Sequence, residues 1–256
     1  MRNILAVAQK EFKSYFASPI AYVAIGVWAF LYGVFFWTIL SYFLRTSMQV
    51  GQFGMQQGAV NINQQLIRPL LQNVTIMILF TMPMVTMRTY SEEKRAGTIE
   101  LLLTSPLTDF EIVMGKFLGA MALYGVMLAV TLIHIGLLFV YGNPEWKPIV
   151  TAYLGVILLG GCFASLGLFI SSLTKNQVVS GMITFAVFLL LWIITWFGTF
   201  SSPAVDKITQ ALSIIDHLDD FTKGVIDTSH LIYYLSFIAF GLFLTVKSVE
   251  TERWRG

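Results

Sequence analysis

The chain of 256 residues is 56% hydrophobic and only 12% charged, and its single cysteine excludes an internal disulfide framework and a cysteine-rich metal site. Because soluble domains average about 25% charged residues, this composition indicates a protein that lies in lipid. The formal net charge of +2 is too small to indicate nucleic-acid binding.

Residues 3–17, ahead of the first long apolar stretch, are predicted to form an amphipathic helix. Apolar side chains recur at helical spacing along one stripe. The stripe consists of Ile4, Leu5, Ala8, Phe12, Tyr15 and Phe16. A basic amphipathic helix beside a membrane span usually lies in the interface between lipid and water. We therefore expect an interfacial helix here, the alternative being a plain cytosolic tail.

Long stretches without Asp, Glu, Lys or Arg predict an all-α integral membrane protein with six transmembrane helices. A span needs roughly 20 apolar residues, and a charge at the bilayer centre costs roughly 2.5–3.5 kcal/mol. The predicted spans are 20–43, 69–89, 112–140, 150–172, 177–199 and 230–248. Small residues in the fourth span, including Gly160, Gly161 and Gly167, predict close packing of helices there.

The loops differ in their content of Lys and Arg, which predicts the orientation of the chain. With both termini inside, eleven basic residues lie on the inner side: Arg2, Lys10, Lys13, Arg88, Lys94, Arg95, Lys116, Lys175, Lys247, Arg253 and Arg255. The five on the outer side are Arg45, Arg68, Lys147, Lys207 and Lys223. This excess predicts that both termini are cytoplasmic.

The inner segment 91–108, between the second and third spans, is the most informative part of the sequence. It begins with balanced charges suited to solvent, and Gly97 then breaks or bends the helix. A short helix from Thr98 to Leu103 follows, and Pro106 ends it. This helix is predicted to have an apolar edge of Ile99, Leu102 and Leu103, with Glu100 on its polar side. The segment is longer than a mere connector needs to be. We therefore interpret it as a cytoplasmic element that docks onto another protein.

The third span is predicted to open at Thr108. Thr108 and Glu111 have the Thr-x-x-Glu spacing of a capping box, in which each side chain binds the backbone N–H of the other residue.

The outer segment 203–229 is predicted to form a short amphipathic helix before the sixth span. Its apolar residues at helical spacing are Val205, Ile208, Leu212, Ile215, Leu218 and Phe221. Residues 216–220 contain three aspartates and a histidine, but their spacing matches no defined metal site. We interpret them as a solvated acidic helix face.

The sequence contains none of the common catalytic motifs. It has no Gly-x-x-x-x-Gly-Lys-Ser/Thr loop for nucleotide phosphates, no His-Glu-x-x-His and no Gly-x-Ser-x-Gly. Within the spans, His134 is expected to be the sole ionisable residue. Without an acidic partner it is a poor proton relay, so we interpret it as a hydrogen-bonded packing residue. The sequence therefore predicts a non-catalytic chain without a bound cofactor or metal.

The stretch Glu92–Pro106, followed ten residues later by Lys116, resembles the signature of type-2 ABC exporter permeases. The interfacial helix, the six spans and the outer amphipathic segment are similar to that family along the whole chain. Residues 19–23 and 217–227 most resemble the permease associated with gliding motility and its homologues in non-gliding bacteria.

The resemblance implies a multi-pass subunit of the bacterial inner membrane. Its partners would be a cytoplasmic ABC ATPase dimer, which carries ATP and Mg, and a second permease copy or homologue. The gliding-type homologues further imply a membrane protein with a large periplasmic domain. The helix around 98–103 would be the coupling helix, on which Gly97 and Glu100 match the family's glycine and acid. The residues expected to couple to the ATPase are Glu92, Glu93, Arg95, Gly97, Thr98, Glu100, Leu101, Leu102 and Pro106.

Two other functions are alternatives to ATP-driven transport. In a mechanotransmission or scaffold complex, ATP cycles would drive a periplasmic partner and no substrate would cross the membrane. The sequence does not separate this function from export, because both need the same coupling helix. An ion- or proton-coupled carrier fits poorly, because the predicted spans contain no carboxylates.

Overall fold

A computed structural model describes residues 2–53, 61–199, 209–210 and 213–255 of the chain. Within these ranges the regular structure is helical and no strand occurs. The helices are α1 Arg2–Phe16, α2 Pro19–Phe53, α3 Arg68–Thr86, α4 Ser91–Ala96, α5 Ile99–Leu103, α6 Asp109–Tyr141, α7 Trp146–Leu173, α8 Gln177–Thr199, α9 Asp216–Thr222 and α10 Thr228–Arg255. A short π-helical turn, Asn63–Ile67, leads directly into α3.

Six helical stretches are long and apolar enough to cross a membrane, which confirms the predicted number. They are Pro19–Gln49, Asn63–Ala96, Asp109–Tyr141, Trp146–Leu173, Gln177–Ile194 and Thr228–Arg253. Several helices extend beyond the charge-free windows, and α2 continues to Phe53 where the sequence predicts a span ending at residue 43. A charged residue limits the part of a helix that suits lipid, but it does not end the helix.

The start of α6 agrees with the sequence. The hydroxyl of Thr108 accepts a hydrogen bond from the Glu111 N–H at 3.2 Å, and the Glu111 carboxylate accepts one from the Thr108 N–H at 3.1 Å. This confirms the predicted capping box, and α6 begins one residue later at Asp109. The exchange satisfies N–H groups that a helix start otherwise leaves unpaired.

The core of the bundle is organised around the buried helix α7. A Cβ atom at Gly160 would overlap the ring of Tyr124 on α6, and one at Gly167 would overlap Thr86 on α3. At Gly161 it would lie 2.8 Å from Ile238 on α10. The predicted close packing of the fourth span is therefore confirmed, because its glycines admit side chains from three neighbouring helices.

Helix α1 packs against α6 through a face that coincides only in part with the predicted stripe, since Tyr15 of the stripe is buried and Phe12 and Phe16 pack against the core. Val7, Glu11 and Tyr15 are its buried residues, whereas Leu5 of the predicted stripe is 65% exposed. Gly115 and Gly119 of α6 create the space, since Cβ atoms there would lie 2.5 Å from Val7 and 2.6 Å from Glu11. Close approach to these glycines, and not apolarity alone, therefore decides which side of α1 faces the bundle.

Different elements of the chain meet at the two ends of the bundle. At the end that we call the terminal end, α1, α4, α5 and the last turns of α10 come together, as shown by the pairs Lys10–Glu93 and Lys94–Glu252. At the distal end, residues 61–68 meet the 142–146 connection and α9. The side-chain amide of Asn63 there donates to the Glu145 carbonyl at 2.8 Å.

Candidate functional site

Helices α4 and α5 form a short hairpin, here named the terminal hairpin (residues 91–106), between the second and third spans. Gly97 joins the two helices with φ +70, in the left-handed region that glycine adopts without strain. The Thr98 N–H donates to the Glu93 carbonyl at 3.0 Å, which closes the bend. The predicted break at Gly97 is therefore a sharp turn between two helices.

One surface of the terminal hairpin is open. Arg95, Gly97, Thr98 and Glu100 are exposed, and Leu101 has 73% of its surface exposed. Pro106 is also exposed, at the end of the hairpin. The open surface of the hairpin therefore combines one exposed apolar side chain, Leu101, with charged and hydroxyl groups.

The opposite surface of the terminal hairpin packs against the bundle. Ile99 is buried, and Leu102 lies against the hydrophobic core. The predicted apolar edge of the short helix is therefore found for these two residues. Leu101 points away from the bundle and is exposed.

Lys116 of α6 lies fully buried beneath the terminal hairpin. Its Nζ is 2.5 Å from Oε1 of Glu11 on α1 and 2.9 Å from Oε2 of Glu93 on α4. It also donates to the Thr89 carbonyl at 2.9 Å. One ammonium group thus links the surface helix, the hairpin and the third span. A buried charge of this kind is stable only when partners of opposite charge satisfy it.

Further polar contacts fix the hairpin from other sides. Lys94 donates to Glu252 of α10 at 2.9 Å, and Arg253 of α10 reaches Asp109 at 2.9 Å. Glu92 is exposed and pairs with Arg88 at 2.9 Å, and Arg88 in turn donates to the Ser18 hydroxyl at 2.7 Å. The hairpin is therefore connected to α1, α6 and α10.

The structure thus divides the nine residues predicted to couple to a partner. Glu92, Arg95, Gly97, Thr98, Glu100, Leu101 and Pro106 are exposed, and Glu93 and Leu102 turn toward the bundle. The expectation that the charges of 92–95 are suited to solvent is wrong for Glu93 and Lys94. Both side chains are largely buried, because partners on α6 and α10 compensate their charges.

Sequence reasoning missed Lys116 and Glu11. The expectation that His134 is the sole ionisable residue within the spans is wrong, because Lys116 lies inside both the predicted span 112–140 and helix α6. The position of Lys116 inside a predicted span could have identified it, since an ionisable side chain inside a span is a functional candidate by default. Nothing in the sequence pairs it with Glu11, 105 residues earlier.

His134 contacts aromatic rings in the structure. Its ring lies edge-on to those of Tyr32 and Phe36, with centroids 5.1 and 4.9 Å apart. These contacts support the packing part of the interpretation, whereas the expected hydrogen bond is not found at Nδ1 of His134, which is buried without a partner among the described residues.

The acidic residues of α9 are engaged by cations. Asp219 contacts Arg68 at 2.5 Å and Lys223 at 2.7 Å, and Asp220 contacts Lys223 at 3.0 Å. Partial burial alone would raise the pKa of Asp219, but hydrogen bonds from Lys223 and Arg68 outweigh it and hold the pKa below its usual value. Leu218 and Phe221 of this helix are buried. The acidic face is partly open to solvent, and Asp219 on it ties α9 to α3 through Arg68.

The rest of the predicted outer segment 203–229 is only partly described. Val205, Ile208 and Leu212 lie outside the described residues. Among those that are described, no three His, Cys, Asp or Glu side chains come together as metal ligands.

Comparison with known proteins adds one finding. A family model described as ABC-2 family transporter protein matches residues 5–244, nearly the whole chain. A search of curated proteins finds no match.

Proposed function

Because this chain belongs to the ABC-2 family of transporter proteins, we propose that it is the permease subunit of an ATP-driven transporter of the type-2 exporter class. ATP and Mg bind to a separate ATPase dimer, and a second permease copy or homologue completes the membrane part. The chain lies in the bacterial inner membrane with both termini in the cytoplasm, as the distribution of Lys and Arg supports.

The observation that carries the proposal is the open surface of the terminal hairpin. Leu101 is exposed beside Glu100 and Thr98, on a segment whose other surface is fixed to the bundle. An exposed leucine within a polar rim suits a groove on a partner protein, where its burial contributes binding energy. The terminal hairpin is therefore the docking site of the ATPase, and Glu100 and Leu101 are its central residues.

The contacts beneath the hairpin give the docked ATPase a path into the membrane part. A displacement of α4 acts on α6 through Glu93 and Lys116, and on α1 through Lys116 and Glu11. Lys94 and Glu252 extend the same displacement to α10. Nucleotide-driven closure of the ATPase shifts the equilibrium between arrangements of the spans only if these contacts differ between them.

A second candidate is a mechanotransmission complex, in which the same ATP cycle drives a periplasmic partner without moving a substrate. The distal end supports it, because α9 is held to α3 by Arg68 and Asp219 and packs through Phe221 against Gly155 of α7. This gives a firm outer surface that movements of the spans would displace. The resemblance of residues 217–227 to gliding-type permeases points to a partner with a large periplasmic domain.

The experiment replaces Glu100 by Ala and, separately, Gly97 by Pro in the complex purified through a tag on this chain. We expect the amount of ATPase that copurifies with this chain, and with it ATP hydrolysis, to fall by about tenfold in each, since loss of a central contact weakens binding by on the order of 1–2 kcal/mol. Glu145→Ala, an exposed substitution at the distal end, is the matched control and should leave hydrolysis unchanged. Unchanged hydrolysis and export in both hairpin variants would remove the docking assignment.

A further inference from the structure

Two of the chain's three histidines are in contact at the distal end. His217 belongs to α9 and His230 to the first turn of α10, and their ring centroids lie 4.8 Å apart. The ring of His217 also stacks on that of Tyr233 of α10, with 3.9 Å between centroids. Both histidines are partly exposed, so water reaches them. Since histidine is the side chain whose charge ordinarily changes between about pH 5 and 8, this contact joins two titratable rings across two helices.

Each ring already uses one nitrogen in a hydrogen bond. Nδ1 of His217 lies 2.8 Å from the Ser213 carbonyl, and since a carbonyl oxygen only accepts, Nδ1 carries the proton there. Nε2 of His230 lies 3.0 Å from Oδ2 of Asp220 and donates to that carboxylate. Nδ1 of His230 is buried and has no hydrogen-bond partner among the described residues. A further proton on His217 therefore has to bind at Nε2, which makes the ring a cation beside His230.

The surroundings of His217 favour its neutral form. Partial burial has the largest effect on the pKa of His217 and lowers it, and the neighbouring His230 lowers it further. The hydrogen bond at Nδ1 and the carboxylate of Asp216 act the other way, but the pKa stays below the ordinary value of 6.5. Tyr233 and Tyr234, the tyrosines of α10 that lie against the ring, are uncharged in this range of pH. The contact therefore loses stability when His217 gains a proton.

The other charged groups around α9 keep their charges in the same range. Asp219 pairs with Arg68 of α3 and with Lys223. Hydrogen bonds from Lys223 to Asp220, and from a backbone N–H to Asp227, hold the pKa values of these two carboxyls below their usual range. Helix α7 meets α9 through a glycine and a threonine, which carry no charge. A change in the attachment of α9 at mildly acidic pH is therefore assigned to the histidines.

We propose that the contact between His217 and His230 is a pH-sensitive latch, which holds the start of α9 on α10 while His217 is neutral and loosens when the distal end becomes acidic. Once the ring of His217 leaves the contact, it regains the proton affinity of a solvated histidine. The loosening therefore begins as the pH falls below 6.5 and levels off below the lower pKa of the packed ring. Asp219 and Arg68 keep their charges, so α9 stays attached to α3. The inference concerns this contact alone and does not depend on the proposed function.

The test is hydrogen–deuterium exchange of the full-length chain in detergent, read by mass spectrometry at about pH 7.5 and about pH 5.5. Labelling times are scaled to the intrinsic exchange rate at each pH, and peptides from the terminal hairpin serve as the reference. We expect the scaled exchange of peptides from residues 213–223 to rise about threefold at the lower pH, because opening there releases a ring that takes up a proton. His217→Asn keeps an N–H donor in the place of Nδ1 but does not titrate, so its exchange should be the same at both pH values.

His134→Phe is the matched control, since it removes the third histidine and keeps an aromatic ring against Tyr32 and Phe36. It should retain the rise seen in the wild type. Equal scaled exchange of residues 213–223 at both pH values in the wild type, or slower exchange at the lower pH, would overturn the proposal without recourse to any variant. A rise that persists in His217→Asn, that is lost in His134→Phe, or that the terminal hairpin shares would overturn it as well.

Discussion

Lys116 of the third span and Glu11 of the surface helix form a buried ion pair, with 2.5 Å between Nζ and Oε1. Glu93 of the terminal hairpin approaches the same ammonium group at 2.9 Å and also contacts Lys10 at 3.3 Å. Two lysines and two glutamates therefore balance one another at the junction of three elements. Their arrangement depends on the hairpin keeping its position, because Glu93 of the hairpin is one of the two carboxylates that contact Lys116.

Replacing Lys116 by Met should lower the free energy of unfolding by about 3–5 kcal/mol, because it leaves Glu11 buried without a cation. The measurement is denaturant-induced unfolding of the purified chain in detergent. The double variant Lys116→Met/Glu11→Gln should recover about half of this loss, since it removes the stranded charge as well. Lys175→Met, at an exposed position, should change stability by less than about 0.5 kcal/mol. Equal stability of the Lys116 and Lys175 variants would contradict the buried cluster.

The packing of α7 against α6 predicts opposite effects of two similar substitutions. Gly160→Ala places a Cβ atom against the ring of Tyr124, whose hydroxyl is held by the Val156 carbonyl at 2.9 Å. We expect a loss of about 1–3 kcal/mol from overpacking. Gly125→Ala on α6 meets no atom within 4 Å, so it should be neutral or stabilise the helix by up to about 1 kcal/mol. Thermal unfolding of both variants checks this, and destabilisation by both to the same extent would argue against the close contact.

The Asp219–Arg68 contact predicts a dependence of stability on pH. Because the folded state lowers the pKa of Asp219, folding favours the carboxylate, and its stabilising effect is fully present above the usual value of 3.8. The effect is lost as the pH falls through the lower folded-state pKa. Asp219→Asn should therefore unfold at a lower temperature than the wild type at about pH 7, and the difference should shrink below pH 3.8. A difference independent of pH would show that the charge of Asp219 is not what stabilises α9.

The number of spans and the start of the third span follow from local features of the sequence. Charge-free windows define the spans, and the spacing of Thr108 and Glu111 defines a helix start, because both effects act within a few residues. The bend at Gly97 is local in the same way. The exposure of Glu100 could be predicted from the sequence in the same way, because a short helix that packs through one apolar edge places its charged residue on the opposite side.

The pairing of charges was not predictable in this way. Glu93 and Lys94 are adjacent and look equally suited to solvent, yet one faces α6 and the other α10. Which partner each reaches depends on how helices far apart in the sequence pack, and glycines such as Gly115 and Gly119 decide that packing. Glu11 was missed for the same reason, because a charged residue on an amphipathic helix ordinarily faces water.

A site-directed cross-link shows whether an ATPase docks on the terminal hairpin. Cys162 is the chain's only cysteine and is buried, so Cys162→Ala provides a background for single cysteines at chosen surface positions. Leu101→Cys and the distal control Glu145→Cys, carrying a maleimide photo-cross-linker, are irradiated in the complex that hydrolyses ATP. We predict a cross-link to the ATP-hydrolysing subunit from position 101 and none from position 145. A cross-link from position 145, or none from position 101 in an active complex, would contradict docking on the terminal hairpin.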